Sequence, residues 1–361
     1  MALKILVGTS KGVVIVEKKE GAWNIADIRF LGMPVSMLFV DPVTGRWWVA
    51  LDHKHWGSKL HFTEDQGNTW HEVAVPAYTG LENKAHKAVK LKKIWVMENA
   101  GPDRPGCLWL GTEPGGLFYS DDNGQTFRLN TGLWNHPSRA NENQWFGAGR
   151  DHPFIHSIVT DPRDQDTLFV AVSCAGVFGS RDNGKSWVVR NNGLEATYLP
   201  KPNVEVGHDP HLMLACKANP DVMWQQNHCG IFRTVDQGCQ WKKVSGANGY
   251  PHYGFALAIE EENPDEAWVI PAQSDEIRVA VDLRMSVCYT ADAGNSWIRQ
   301  EAGLPGSNAF GIVLRHAFAK EDALLVFGTN NGNLFLSEDK GKSWLRVSGD
   351  LAPVNYIKIV L

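Results

Sequence analysis

The stretch Ser180–Trp187, SRDNGKSW, decides the fold because the chain keeps returning to it. Close variants are TEDQGNTW (Thr63–Trp70), SDDNGQTF (Ser120–Phe127), TVDQGCQW (Thr234–Trp241), TADAGNSW (Thr290–Trp297) and SEDKGKSW (Ser337–Trp344). Each begins with Ser or Thr, has Asp third and Gly fifth, and ends in Trp or Phe. The terminal aromatics fall at 70, 127, 187, 241, 297 and 344, in steps of 57, 60, 54, 56 and 47 residues. One step of 47 back from Trp70 reaches Trp23, in VEKKEGAW, which reads as a decayed seventh copy. Self-similarity at such a period marks one supersecondary unit used again and again. The chain therefore reads as seven units.

Within the motif the Asp accepts backbone N–H bonds from its own tight turn, and the Gly supplies a positive φ. The aromatic opens the next strand and buries its ring between neighbouring sheets. The motif resembles the Asp-box, or BNR repeat, of sialidases, sortilin-type receptors and xyloglucan-cleaving propeller hydrolases. That resemblance runs the whole length of the chain. It implies that Asp65, Asp122, Asp182, Asp236, Asp292 and Asp339 hold the fold and are not catalytic acids.

The expected architecture is all-β, one seven-bladed β-propeller over residues 1–361 with four-stranded antiparallel blades and the Asp-box turns on one face. Repeat four shows the pattern, with strands expected at 156–162, 168–173, 176–180 and 186–190, rich in β-branched and aromatic residues. The closing segment NYIKIVL (Asn355–Leu361) has no motif after it. It is expected to pair with the N-terminal repeat and close the ring, leaving no open sheet edge.

Composition narrows the function. With 35 basic against 40 acidic residues and no long basic run, nucleic acid is an unfavoured partner. No apolar run spans a bilayer, so no membrane partner is expected. The start MALKILVGTSKGVVIVE alternates like a strand and lacks the apolar core of a signal peptide. Six cysteines scattered over different repeats without CxxC spacing read as reduced thiols of a cytoplasmic protein. Composition leaves the oligomeric state open.

In an up-and-down sheet the connections alternate ends. Blade joins and second-to-third-strand loops therefore share the face opposite the Asp turns. Those loops are long here: Leu133–Phe154 leads into repeat four, Glu195–Pro210 into repeat five, and Pro271–Ser286 interrupts repeat six. Long loops on a rigid scaffold carry function.

Histidines gather on that face. His156 lies 13 residues before Phe169 and His211 lies 13 before Trp224, so the two are equivalent, and His252 in YPHYGF sits near the same point of repeat six. His228 occupies the turn of QQNHCG. These four are the candidate ligands of a divalent ion, Zn, Mn, Fe or Ni, at the mouth of the channel. Arg150, Asp151, Asp275, Glu276 and Arg278 are the candidates for orienting an anionic group or moving a proton. Trp145, Tyr198, Gln226, Tyr250 and His208 are the candidates for substrate contact.

At these residues a narrower resemblance enters. GHDPH followed by QQNHCGIFRTVDQGCQW, and DEIRVAVDLRMSVCYTADAGNSW, look like a bacterial family labelled glycosyl hydrolase, sialidase-like or BNR-repeat protein. It implies the seven-bladed propeller and a small-molecule or carbohydrate ligand. Sialidases carry Arg-Ile-Pro ahead of the first Asp-box, and this chain does not. The leading expectation is a hydrolase or lyase on a polar, carbohydrate-like substrate at the His-rich face. The alternatives are a non-catalytic binding scaffold and a metal-free glycosidase working through paired carboxylates.

Overall fold

The computed structural model describes residues 3–82, 87–140, 144–147, 149–246 and 250–361, so part of the long join into repeat four lies outside the described residues. The fold is a seven-bladed β-propeller of four-stranded antiparallel sheets, with only a few residues of helix. Blade 1 orders Val354–Val360, Lys4–Thr9, Gly12–Lys19 and Ala22–Arg29. The C-terminal strand is thus its first member, with Ile5 opposite Ile359 and Val7 opposite Ile357. Every other blade takes its four strands in chain order. Repeat four folds as Ile155–Asp161, Asp164–Val172, Gly176–Ser180 and Val188–Val189, within a few residues of expectation.

The chain divides into two compact units. One (residues 1–35, 191–204 and 210–361) carries blades 1, 5, 6 and 7, and the other (36–190 and 205–209) carries blades 2, 3 and 4. In the first unit, strands Gly254–Ile259, Ala267–Pro271 and Leu324–Gly328 are buried at every position. A sheet covered on both faces has no solvent side, so these strands read as apolar runs instead of alternating. In the second unit Val96, Trp109, Ile155, Val170, Phe178 and Trp187 belong to one core. The fourth strands lie at the rim, where Val188, Ile298 and Leu345 are exposed.

The repeated turn shows why its residues recur. Ser180 Oγ donates to Asp182 Oδ1 at 2.8 Å and accepts from Gly184 N–H at 2.9 Å. The other carboxylate contacts come from Ser186, whose N–H reaches Oδ1 at 2.9 Å and whose hydroxyl reaches Oδ2 at 2.6 Å. Asp65, Asp122, Asp292 and Asp339 repeat this set. At Asp236 a Gln follows four residues later, and its backbone N–H alone reaches the carboxylate.

Positive φ is not confined to the glycine. The residue before it is also left-handed, from Gln237 at 56° to Ala293 at 61°, and non-glycine residues reach that region at a cost. The carboxylate bonds hold the pair there. Before Trp23 the same left-handed pair recurs as Glu20 (50°) and Gly21 (82°), with no Asp to bind it.

No cysteine among the described residues is in a disulfide. Among the described residues no helix is long and apolar enough to cross a membrane.

The Ser186 hydroxyl, then its N–H, holds the Asp182 carboxyl at about 2. A carboxyl depressed in the folded state stabilises fully above its unfolded value near 4, and that contribution fades as pH falls toward 2. Asp182→Ala should therefore lower urea-unfolding stability at pH 7 by about 2 kcal/mol, from lost charge-assisted bonds. The gap from wild type should narrow near pH 2.5.

Candidate functional site

Four blades break their first strand in the same way. The register slips between Ile94 and Val96, Ile155 and Ser157, Pro210 and Leu212, and Gly254 and Ala256. Each slip leaves one extra residue, respectively Trp95, His156, His211 and Phe255. A bulge of this kind re-aims the side chain that carries it. All four lie near the strand's start, at the end of the sheet opposite the Asp turns. Phe255 sits 13 residues before Trp268, so it, and not His252, is the repeat-six equivalent of His156 and His211. His252 precedes the strand.

In the first unit the bulged residues build a cluster. The buried His211 stacks on Phe255, with centroids 4.5 Å apart and planes at 20°. Its Nδ1 lies 2.6 Å from the Gly254 carbonyl. A carbonyl only accepts, so Nδ1 carries the proton and the lone pair belongs to Nε2. His228 meets His211 edge-on at 5.8 Å, Tyr253 at 5.6 Å and Tyr198 at 4.8 Å. Its Nε2 lies 3.5 Å from Asp275 Oδ2, a carboxylate from the repeat-six loop. Phe255 also lies under two cations, with Arg278 Cζ at 5.6 Å and Arg315 Cζ at 5.3 Å from its centroid. Tyr253, Phe255, Ala272 and Ile312 form the apolar floor.

This arrangement brings His211, His228, Asp275, Arg278 and Tyr198 into one neighbourhood. It can move a proton through the His228–Asp275 pair and offer ring faces to a flat or sugar-like ligand. One nitrogen of each imidazole is directed to an outer acceptor, a carbonyl for His211 and a carboxylate for His228, as in metal-binding histidines. Asp209, two residues before His211 along the chain, is a third residue of metal-ligating type. Sequence reading missed Tyr253, Phe255, Arg315 and Asp209. Only Phe255 carried a signal, the count of 13 to Trp268.

The remaining candidates of this unit have other duties. The buried Gln226 shares its amide N–H groups among the carbonyls of His252 (3.0 Å), Asn227 (3.2 Å) and Gly230 (3.4 Å). His252, whose carbonyl takes one of these bonds, has its imidazole pKa lowered by burial, then by the Lys243 charge. Tyr250 pairs its hydroxyl with that of Ser286, and burial raises its pKa. Glu276 is exposed on the loop.

Five candidates fall in the second unit. Buried His156 places Nδ1 2.9 Å from Ser157 Oγ and meets Phe154 edge-on. His208 is buried where its backbone bridges to Ala175. Arg150 donates from Nε to the buried Glu113 at 2.7 Å, beside the exposed Asp151. Trp145 is largely buried, its Nε1 donating to Ser138 Oγ at 2.9 Å and its ring lying between Phe178 and the Arg139 guanidinium. Asp209 accepts from Ser173 Oγ at 2.7 Å and from the Cys174 N–H at 3.2 Å.

No family model matches the chain. It is similar to the oligoxyloglucan-reducing end-specific xyloglucanase of Emericella nidulans, at 37% identity over 268 residues, covering 66% of this chain. The chain spans only 30% of that enzyme's length. Among solved structures it is similar to an ancestral GH74 enzyme, with a TM-score of 0.56 and 12% identity over 99% of this chain and 40% of that one. It is also similar to YCF48 from Cyanidioschyzon merolae, with a TM-score of 0.54 and 12% identity over 92% of this chain and 87% of that one. At such identities the structural likeness speaks for the propeller fold alone.

The Gln226 geometry makes a decidable prediction. Gln226→Ala strands buried carbonyls and should cost about 2–3 kcal/mol in denaturant unfolding. A variant that keeps full stability and loses only ligand affinity would return Gln226 to the substrate-binding set.

Proposed function

We propose that the chain is a carbohydrate-acting hydrolase whose reacting groups are gathered around His211 and His228. The observation that supports this most directly is the meeting of two imidazoles and the Asp275 carboxylate with the rings of Tyr198, Tyr253 and Phe255. Aromatic faces take the apolar side of a sugar ring, and a His–carboxylate pair handles the proton that glycosidic cleavage requires. The identity shared with the xyloglucanase over 268 residues agrees with this substrate class.

The reading extends to a divalent ion, with Zn, Mn, Fe and Ni as candidates. His211 would hold it through Nε2, while the Gly254 carbonyl orients the ring. His228 would hold it through the nitrogen turned away from Asp275. When bound, such an ion lowers the pKa of a coordinated water toward neutrality. Asp275 keeps the His228 ring in place and receives a proton, and Arg278 orients an anionic group beside Phe255.

Elemental analysis and hydrolysis assays of the untagged protein test both parts. The expected result is near-stoichiometric metal and release of reducing sugar from xyloglucan oligosaccharides, both lost in the His211→Ala/His228→Ala double variant, with activity down about 100-fold or more. Turnover that survives the double variant would remove these residues from the chemistry. Oligosaccharide binding without turnover, across a panel of aryl glycosides including sialosides, would make the chain a binding scaffold.

A further inference from the structure

In the second unit one guanidinium has more donors than acceptors around it among the described residues. Arg139 lies in the 3-10 turn Pro137–Ala140, on the join between blades 3 and 4. Its Cζ is 3.7 Å from the centroid of Trp134 and 4.8 Å from that of Trp145. One Nη1 N–H donates at 2.5 Å to the carbonyl of Gly115, in the turn that joins the second and third strands of blade 3. Among the described residues no carboxylate makes an ion pair with it. Glu113, two residues before Gly115, accepts from Arg150 at 2.7 Å and from Trp95 Nε1 at 3.3 Å instead.

The walls around Arg139 are fixed. Trp145 is held through Ser138 and packs on Phe178 at 5.0 Å, while Trp134 packs on Tyr78, also at 5.0 Å. The Tyr78 hydroxyl is bound to Thr112 and to the Pro114 carbonyl.

A guanidinium carries five N–H donors in a planar fork, and among the described residues one carbonyl takes a bond. Burial lowers its pKa to about 10, so it remains a cation at neutral pH. Arg139 is half-buried, and aromatic faces only partly replace the water that its cation gives up. Packing alone would be served better by Met or Leu. An anion would complete this set of contacts, and a planar fork flanked by indole rings is matched by a planar carboxylate.

We propose that Arg139, with Trp134 and Trp145 as walls, forms a subsite for the carboxylate of an acidic sugar. The carboxylate follows from the guanidinium, and the sugar rests on the reading given under Proposed function. The subsite lies at the end of its sheet that faces away from the Asp turns.

Tryptophan fluorescence and calorimetric titration with D-glucuronate test it, using D-glucose as the uncharged control and inorganic phosphate as a non-planar anion. Wild-type protein should bind glucuronate, quench or shift its indole emission, and ignore glucose. Arg139→Lys keeps the charge but loses the fork, and should weaken glucuronate by about tenfold or more. Arg139→Met should abolish binding, with unchanged circular dichroism showing the fold retained. If Arg139→Met fails to fold, wild type and Arg139→Lys carry the test. Failure of wild type to bind glucuronate, or equal affinity in Arg139→Lys, overturns the proposal. Phosphate binding as tight as glucuronate overturns the carboxylate assignment. Binding is read without turnover, so a chain inactive on xyloglucan oligosaccharides still answers the question.

Discussion

A carboxylate clamping a left-handed turn is the constraint on which the rest of the structure depends. Two successive residues with positive φ are unfavourable unless something holds them, and in the repeated turns the Asp does so with backbone and hydroxyl bonds. That clamp ties the third strand of a blade to the fourth. The aromatic that follows reaches the previous blade within each unit: Trp297 Nε1 donates to the Val244 carbonyl at 2.8 Å and Trp187 Nε1 to Asn130 Oδ1 at 3.1 Å. One short motif thus sets both the turn and a blade-to-blade contact. The loops at the opposite end are relieved of that duty and can grow, as between Pro271 and Ser286.

The candidate site is made from departures from the repeat. A bulge in the first strand turns His211 out of the ladder and onto the Phe255 ring, which is displaced by the bulge of the next blade. Buried apolar surroundings make each polar contact of His211 stronger and each unpaired one costlier. His211 is therefore bonded to a carbonyl, and His228 faces a carboxylate.

Residue type alone does not decide a role. Arg150 and Arg139 arise from the same join, yet Arg150 pairs with buried Glu113, while Arg139 lies against two indoles and the Gly115 carbonyl. Gln226 and His228 are two residues apart on one hairpin, yet Gln226 braces backbone and His228 faces Asp275.

The sequence by itself determined the architecture. The Asp–Gly motif acts through atoms within eight residues, so its chemistry can be read locally, and its period counts the blades. The pairing of the C-terminal strand with the first repeat was legible for the same reason, since a strand without its own motif must find an edge. Equivalence of His156 and His211 was legible from a spacing of 13, and that spacing also pointed to Phe255 where His252 was expected. What only the tertiary structure decided was which side chains meet. Stacking of His211 on Phe255, the reach of Asp275 to His228, the bracing role of Gln226 and the indole-flanked charge of Arg139 each depend on a bulge, a long loop or a neighbouring blade. Such contacts join residues far apart in the chain, and no local pattern records them.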